Sequence, residues 1–191
     1  MNNITRIFDV ELRAKQGDNR EVEGYAVVFN ASTDLGYFTE EIDKHAFDNC
    51  DMSDVYLLFN HDENQILAGT ANNSLQLKID ERGLFQTSQI VDTSIGEDIF
   101  KLVKNGLIKK MSFGFSIDKD GGEEWISYEE KDHRIIKKIN KLYDVSLVTY
   151  PAYEQTSAYA RCQNDEMASE YLRRKEQSKK MEELINGKNL K

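Results

Sequence analysis

Between Met1 and Ala160 a single stretch, about Ser94 to Asn105, carries apolar residues at helical spacing. Ile95, Ile99, Leu102 and Val103 form its stripe, Ser94 and Glu97 have the spacing of a capping box, and Gly106 is placed as its stop. Nearly every other apolar run is short and alternates, as a half-buried strand does. Residues 4–12 put Ile4, Phe8, Val10 and Leu12 on one face, and residues 20–29 return as a hairpin partner. Tyr37–Ile42 is a short strand, and Asp43–Cys50 is a helical turn with Asp43 as its cap. Val55–Phe59 is apolar on both faces, so it reads as a central strand, and Ile66–Thr70 follows it. Leu75, Leu77 and Ile79 alternate with polar residues, and Leu84–Val91 comes back after a turn at Glu81-Arg82-Gly83. Glu123–Glu130 and Arg134–Ile139 predict a charged edge hairpin, and Leu142–Thr149 a last strand ended by Pro151-Ala152. Roughly ten short strands with few helices predict a mainly β, α+β fold: an antiparallel, closed or nearly closed barrel with one or two packed helices.

From Asn164 onward the composition changes. Between Met167 and Lys188, charges of both signs surround large apolar residues only at Met167, Tyr171, Leu172, Met181, Leu184 and Ile185. That thin stripe predicts a barrel domain over 1–162 and a charged helical extension over 163–191, either a solvated tail or a partner-binding helix.

Charge and cysteine usage narrow the function. The formal charge of -9 argues against nucleic acid, whose phosphates need a positive field. Cys50 and Cys162 are far apart and in no motif, which suits a reduced chain. No Cys-x-x-Cys, His-x-x-x-His or phosphate loop is present, so neither a metal nor a cofactor is expected. No secretory leader is expected, and no apolar run reaches the length of about 18 residues that a membrane span needs.

The strand Lys110–Ile117 has two unlike faces. Met111, Phe113, Phe115 and Ile117 make a core face, while Ser112, Gly114 and Ser116 leave an open gutter on the other. Ser112 is a candidate nucleophile in that gutter; the plainer reading is the solvent side of a sheet. A serine hydroxyl is hardly ionised at neutral pH, so it needs a base and a group to orient that base. Of three histidines, His61 ends the buried Val55–Phe59 run and is the candidate base. His45 reads as structural and His133 as a surface residue. The third group is Asp144, on the last strand, or His133.

These residues lie in segments that resemble the prohead proteases of tailed bacteriophages, relatives of the herpesvirus assemblins. Glu23–Asn30 resembles the family's opening strand. Leu57-Leu58-Phe59-Asn60-His61, with Leu67-Ala68-Gly69-Thr70 after it, resembles the histidine motif. Lys110–Phe115 resembles the Ser-x-Gly-Phe nucleophile strand, and Tyr143–Ala152 the closing motif. The likeness covers about residues 20 to 160. It implies a herpesvirus-protease-like fold, Ser112 as nucleophile and His61 as general base. The family has Glu where this chain has Asp144, one methylene shorter, and assemblins use a second histidine, which keeps His133 as the alternative third member. Gly114 and Ser116 would leave room for an extended substrate.

The resemblance also implies a biology. Such a serine endopeptidase cleaves scaffold, the N-terminal arm of the major capsid protein, or both, inside the procapsid in the host cytoplasm, and is itself often trimmed. Its partners would be the capsid and scaffold proteins and further copies of itself, as a homodimer or larger assembly. The alternative is a non-catalytic barrel that binds capsid or scaffold.

Overall fold

Short strands that cannot bury both faces alone must share one core, and here they do so as three sheets. The computed structural model describes residues 4–8, 12–15, 19–128, 130–149, 169, 171–177 and 179–181. The elements are β1 (Ile4–Phe8), β2 (Arg13–Ala14), β3 (Glu21–Val28), β4 (Thr33–Asp34), β5 (Phe38–Ile42), β6 (Tyr56–Phe59) and β7 (Asp62–Gly69). They continue as β8 (Leu75–Ile79), β9 (Gly83–Gln89), α1 (Ser94–Lys104), β10 (Lys110–Ile117), β11 (Glu123–Ile126), β12 (Asp132–Ile136) and β13 (Ile139–Val148). The first sheet has the order β1-β10-β13-β6-β7, the second β11-β12-β5-β4 and the third β2-β3-β9-β8.

The fold is mainly β, as expected, but it is not a closed antiparallel barrel. The three sheets are open among the described residues, and β12–β5 and β13–β6 pair in parallel. Both parallel pairs join strands far apart in sequence, where no hairpin dictates direction. Register shifts at Gly114/Phe115, Ser116/Ile117, Tyr25/Val27 and along β6–β7 interrupt the ladders and bend the strands around the core.

That core draws on all three sheets. Phe113 and Phe115 stack at 4.7 Å and are fully buried, with Phe47 against Phe113 at 6.4 Å. Each such ring contributes about 1.5–3 kcal/mol by leaving water. Helix α1 adds Ile99, Phe100 and Val103 to it. Its cap is Thr93, one residue before the expected Ser94: the Thr93 Oγ1 accepts from the Gly96 N–H at 3.1 Å. Glu97 instead pairs with Lys101 and Arg20.

Two other expectations change. Residues 4–12 do not hairpin onto 20–29; β1 joins β10, and only the short β2 pairs with β3. The Glu123–Glu130/Arg134–Ile139 hairpin exists as β11–β12, but β12 is interior because β5 covers its other side. Over Asp43–Cys50 the backbone makes successive tight turns, and Asp43 Oδ1 accepts from the His45 N–H at 2.8 Å as the expected cap.

Part of the C-terminal extension is in contact with the second sheet. Residues 171–177 and 179–181 are helical. The Tyr171 ring lies on Phe38 and Trp125 at 5.5 and 5.8 Å, and its hydroxyl donates to Asp132 Oδ2 at 2.8 Å. Arg174 pairs with Glu123 and Lys175 with Asp132. The Pro151-Ala152 stop, Cys162 and the 162/163 boundary lie outside the described residues. No described helix is long and apolar enough to cross a membrane.

Candidate active site

Three neighbouring strands of the first sheet hold the site. Strand β10 carries Ser112, β13 lies beside it with Ser146 opposite Ser112 and Asp144 opposite Gly114, and β6 follows β13. Residues directly opposite share a face. Asp144 and Ser146 therefore line one face of β13 together, and Gly114 puts no side chain in their way.

His61 reaches this face from a turn. Asn60 and His61 are the two residues between β6 and β7, with φ of 54° and 59°. Two consecutive positive φ values are the pattern of a type I′ hairpin turn, tolerated by Asn and His better than by most side chains. The end of β13 holds this backbone in place. The Asn60 N–H donates to the Leu147 carbonyl at 2.9 Å, and the Asn60 Oδ1 accepts from Thr149 at 3.1 and 3.0 Å. The His61 N–H donates to Ser146 Oγ at 3.3 Å.

From that turn the imidazole lies between two partners. Its Nδ1 is 2.7 Å from Asp144 Oδ1 and its Nε2 is 2.6 Å from Ser112 Oγ. An ionised carboxylate can only accept, so Nδ1 carries the hydrogen and Nε2 faces the serine with its lone pair. Ser146 Oγ donates to the same Asp144 oxygen at 2.6 Å. All of this is shielded: Ser112 is 0% exposed, and the His61 and Asp144 side chains are 10% and 7% exposed. Aspartate thus spans the distance to His61 despite its shorter side chain.

The gutter expected beside Ser112 is not open. Gly114 and Ser116 are both buried, with the Tyr143 hydroxyl donating to Ser116 Oγ at 3.3 Å. His61 lies against Ser112, and β13 and β1 take the two edges of β10; Ser112 Oγ also contacts the Arg6 carbonyl at 2.8 Å. An edge that β1 occupies cannot be seen in the alternation of β10 alone.

The other candidates stand elsewhere. His133 is on β12 in the second sheet, half-buried and not at the surface, with its Nδ1 2.7 Å from Thr39 Oγ1 and its Nε2 3.5 Å from Glu41. His45 is exposed beside Asp48. Burial pushes the Cys50 thiol up to about 11, so it is no rival nucleophile at neutral pH. Sequence reasoning missed Ser146 and the Asn60-His61 turn. The spacing Asp144-x-Ser146 put both on one strand face, and Asn before His at the end of an apolar run is a turn signal.

Comparison with known proteins adds to this geometry. Residues 8–170 match the family described as caudovirus prohead serine protease. The prohead protease of Enterobacteria phage HK97 is 32% identical over 149 residues, covering 75% of this chain. The match spans 62% of that relative's length. The capsid assembly protease of bacteriophage T4 has a similar chain path, with a TM-score of 0.48 at 10% identity over 77% of this chain and 99% of that one.

Proposed function

Because the chain belongs to the caudovirus prohead serine protease family, we propose that it is a serine endopeptidase of phage head maturation. Its substrates are scaffold, the N-terminal arm of the major capsid protein, or both, cut inside the procapsid in the host cytoplasm, where further copies of the chain assemble with it. Ser112 is the nucleophile, His61 the general base and Asp144 the orienting acid. The observation that carries this reading is the contact line Ser112 Oγ to His61 Nε2, 2.6 Å, and His61 Nδ1 to Asp144 Oδ1, 2.7 Å. Residues 1–162 form the catalytic unit, with 163–191 as an extension tied to the second sheet through Tyr171.

The chemistry follows from the positions. Ser112 Oγ attacks the carbonyl carbon of the scissile peptide as His61 Nε2 takes the hydroxyl proton. Asp144 stabilises the imidazolium that results and holds the ring so that Nε2 stays aimed at Oγ. As the tetrahedral adduct collapses, the C–N bond breaks and the imidazolium gives its proton to the leaving amine. Water then enters by the same route: His61 removes its proton, the oxygen attacks the acyl carbon, and Ser112 leaves with a proton from His61. No redox partner or metal is required to balance either half.

Co-expression with the capsid protein of the same phage tests the reading. The unmodified chain cleaves it, seen as a shortened capsid chain by mass spectrometry, and Ser112→Ala does not. Cleavage that survives Ser112→Ala removes Ser112 as nucleophile. Stable binding of the capsid protein with no cut by the unmodified chain favours the non-catalytic binding role.

A further inference from the structure

One contact at Ser112 works against the reaction. The hydroxyl has a single proton and stands 2.6 Å from His61 Nε2 and 2.8 Å from the Arg6 carbonyl oxygen. A carbonyl can only accept. When Ser112 donates to it, the short contact to His61 needs a hydrogen on Nε2, while Nδ1 still faces the Asp144 carboxylate. A ring holding both hydrogens is an imidazolium and cannot act as the base. The Arg6 carbonyl therefore competes for the proton that catalysis must send to His61.

Arg6 belongs to β1, which runs antiparallel along the outer edge of β10, with Ile7 opposite Ser112 and Arg6 opposite Phe113. Proteins that bind extended peptides commonly do so by adding a strand at a sheet edge. Here that edge is already taken by the chain's own strand. The family match begins at residue 8, so β1 lies outside it except for Phe8.

The Arg6 side chain enters a buried socket. Glu40 on β5 is 3% exposed and takes the guanidinium in both its oxygens: Nε donates to Oε1, and Nη2 to Oε2 at 2.8 Å. Arg134 Nη1 also donates to Oε2, at 2.9 Å. If Arg6 leaves, Oε1 loses this donor inside the protein, which is costly. An incoming strand with arginine at the same place restores it; lysine restores the charge but not the two-pronged geometry, and an alanine or glutamate restores neither.

We propose that the outer edge of β10 is the substrate-strand site, that β1 occupies it as a pseudosubstrate, and that Glu40 selects a basic residue, arginine before lysine, at the position whose carbonyl meets Ser112. This rests on the serine-protease reading above. Substrate gains access by exchanging with β1, one extended strand for another.

The test uses the full chain, with Arg6→Ala and Arg6→Glu as variants, and peptidyl diphenyl phosphonates carrying arginine, alanine or glutamate next to phosphorus. In the labelling step Ser112 Oγ bonds to phosphorus and phenol leaves with the serine proton. Rates come from intact mass, and the labelled residue from peptide mapping. The unmodified chain should react slowly. Both variants should react with the arginine probe roughly tenfold faster or more, because the competent fraction rises. In them the arginine probe should outpace the alanine and glutamate probes by a similar factor.

Equal rates in all three chains would overturn β1 as the occupant while leaving Ser112 as nucleophile. Faster labelling without a preference for arginine overturns selection by Glu40. Absence of Ser112 labelling in every chain sinks the serine-protease reading itself. If a variant does not fold, hydrogen exchange on the unmodified chain decides. Amides of β1 then exchange well before those of β13 if β1 opens locally, whereas exchange only on global unfolding overturns the proposal.

Discussion

Two buried polar groups meet at Arg6, and they are built for opposite purposes. Its carbonyl touches the Ser112–His61–Asp144 line, where side chains share protons through contacts of 2.6 and 2.7 Å. Its guanidinium joins Glu40, Arg134 and Glu123, where formal charges are locked together and nothing needs to move. Losing one partner from the first should stop chemistry and leave the fold nearly intact. Losing one from the second should strain the fold, because a buried charge is left without its counterpart. The difference lies in paired opposite charges, which the Glu40 cluster has and the Ser112 line lacks, more than in burial, since Ser112 and Glu40 are both shielded from water.

Ser112→Ala tests that contrast hardest. Loss of the nucleophile should lower kcat by up to about a million-fold, while urea unfolding changes by only about 1 kcal/mol for the lost hydrogen bonds. A folded, fully active Ser112→Ala chain would erase the distinction. Asp144→Asn comes next. An amide at that place favours the wrong histidine tautomer, and kcat should fall by roughly ten thousand-fold with KM little changed. The paired substitution His133→Ala should leave kcat within about twofold, because His133 lies in the second sheet away from the reacting atoms, even if losing its contact with Thr39 lowers stability; a loss of kcat matching that of Asp144→Asn would restore His133 as the third member.

Glu40→Ala probes the other side. It removes the acceptor shared by two buried guanidiniums and should cost about 3–5 kcal/mol of stability in urea unfolding. The same carboxylate sets a pH dependence. Burial alone would raise the Glu40 pKa, but the Arg6 and Arg134 guanidiniums outweigh it and hold it below its ordinary value of 4.5. The unfolded chain therefore takes up this proton first as pH falls. The stabilisation is complete above about pH 4.5 and is lost progressively below it, until the folded carboxylate is protonated too. Glu40→Gln should flatten the stability slope below about pH 4.5; an unchanged slope would assign it to other acids, of which Glu123 and Asp132 are also held low.

The sequence revealed the two halves of this contrast unequally. Ser112, His61 and Asp144 could be picked out because each lies within a local pattern: an alternating strand, the end of an apolar run, a β-rich closing segment. The Glu40 cluster could not. Glu40 sits in a stretch that reads only as a short strand, Glu123 and Arg134 in one that reads as a charged edge hairpin, and the burial of Glu40 and Arg134 depends on β5 pairing in parallel with β12 across some ninety residues. The destination of β1 was equally hidden, since its partner Ser112 lies 106 residues away and the nearer hairpin onto 20–29 satisfies the same alternation. The closed antiparallel barrel failed for a related reason: β12 pairs with β5 and β13 with β6 in parallel across long separations, and period-2 patterns do not encode strand direction.

Ser146 gives the smallest loss of rate expected among the residues of the Ser112–His61–Asp144 line and its supports. Its hydroxyl donates to Asp144 Oδ1 at 2.6 Å and accepts the His61 N–H at 3.3 Å, so it steadies both the acid and the left-handed backbone that carries the base. Neither contact reaches the substrate, which makes Ser146 a positioning residue. Ser146→Ala should lower kcat by roughly tenfold, the equivalent of about 1.4 kcal/mol in the barrier, with KM unchanged, because binding at the β10 edge is untouched. Ser146→Thr keeps the hydroxyl and should recover most of the rate. If Ser146→Ala changes stability but not kcat, or if threonine fails to restore a lost rate while the chain remains folded, the residue serves packing alone. In that case the proton-sharing line ends at Asp144, and the contrast with the Glu40 cluster narrows to three residues.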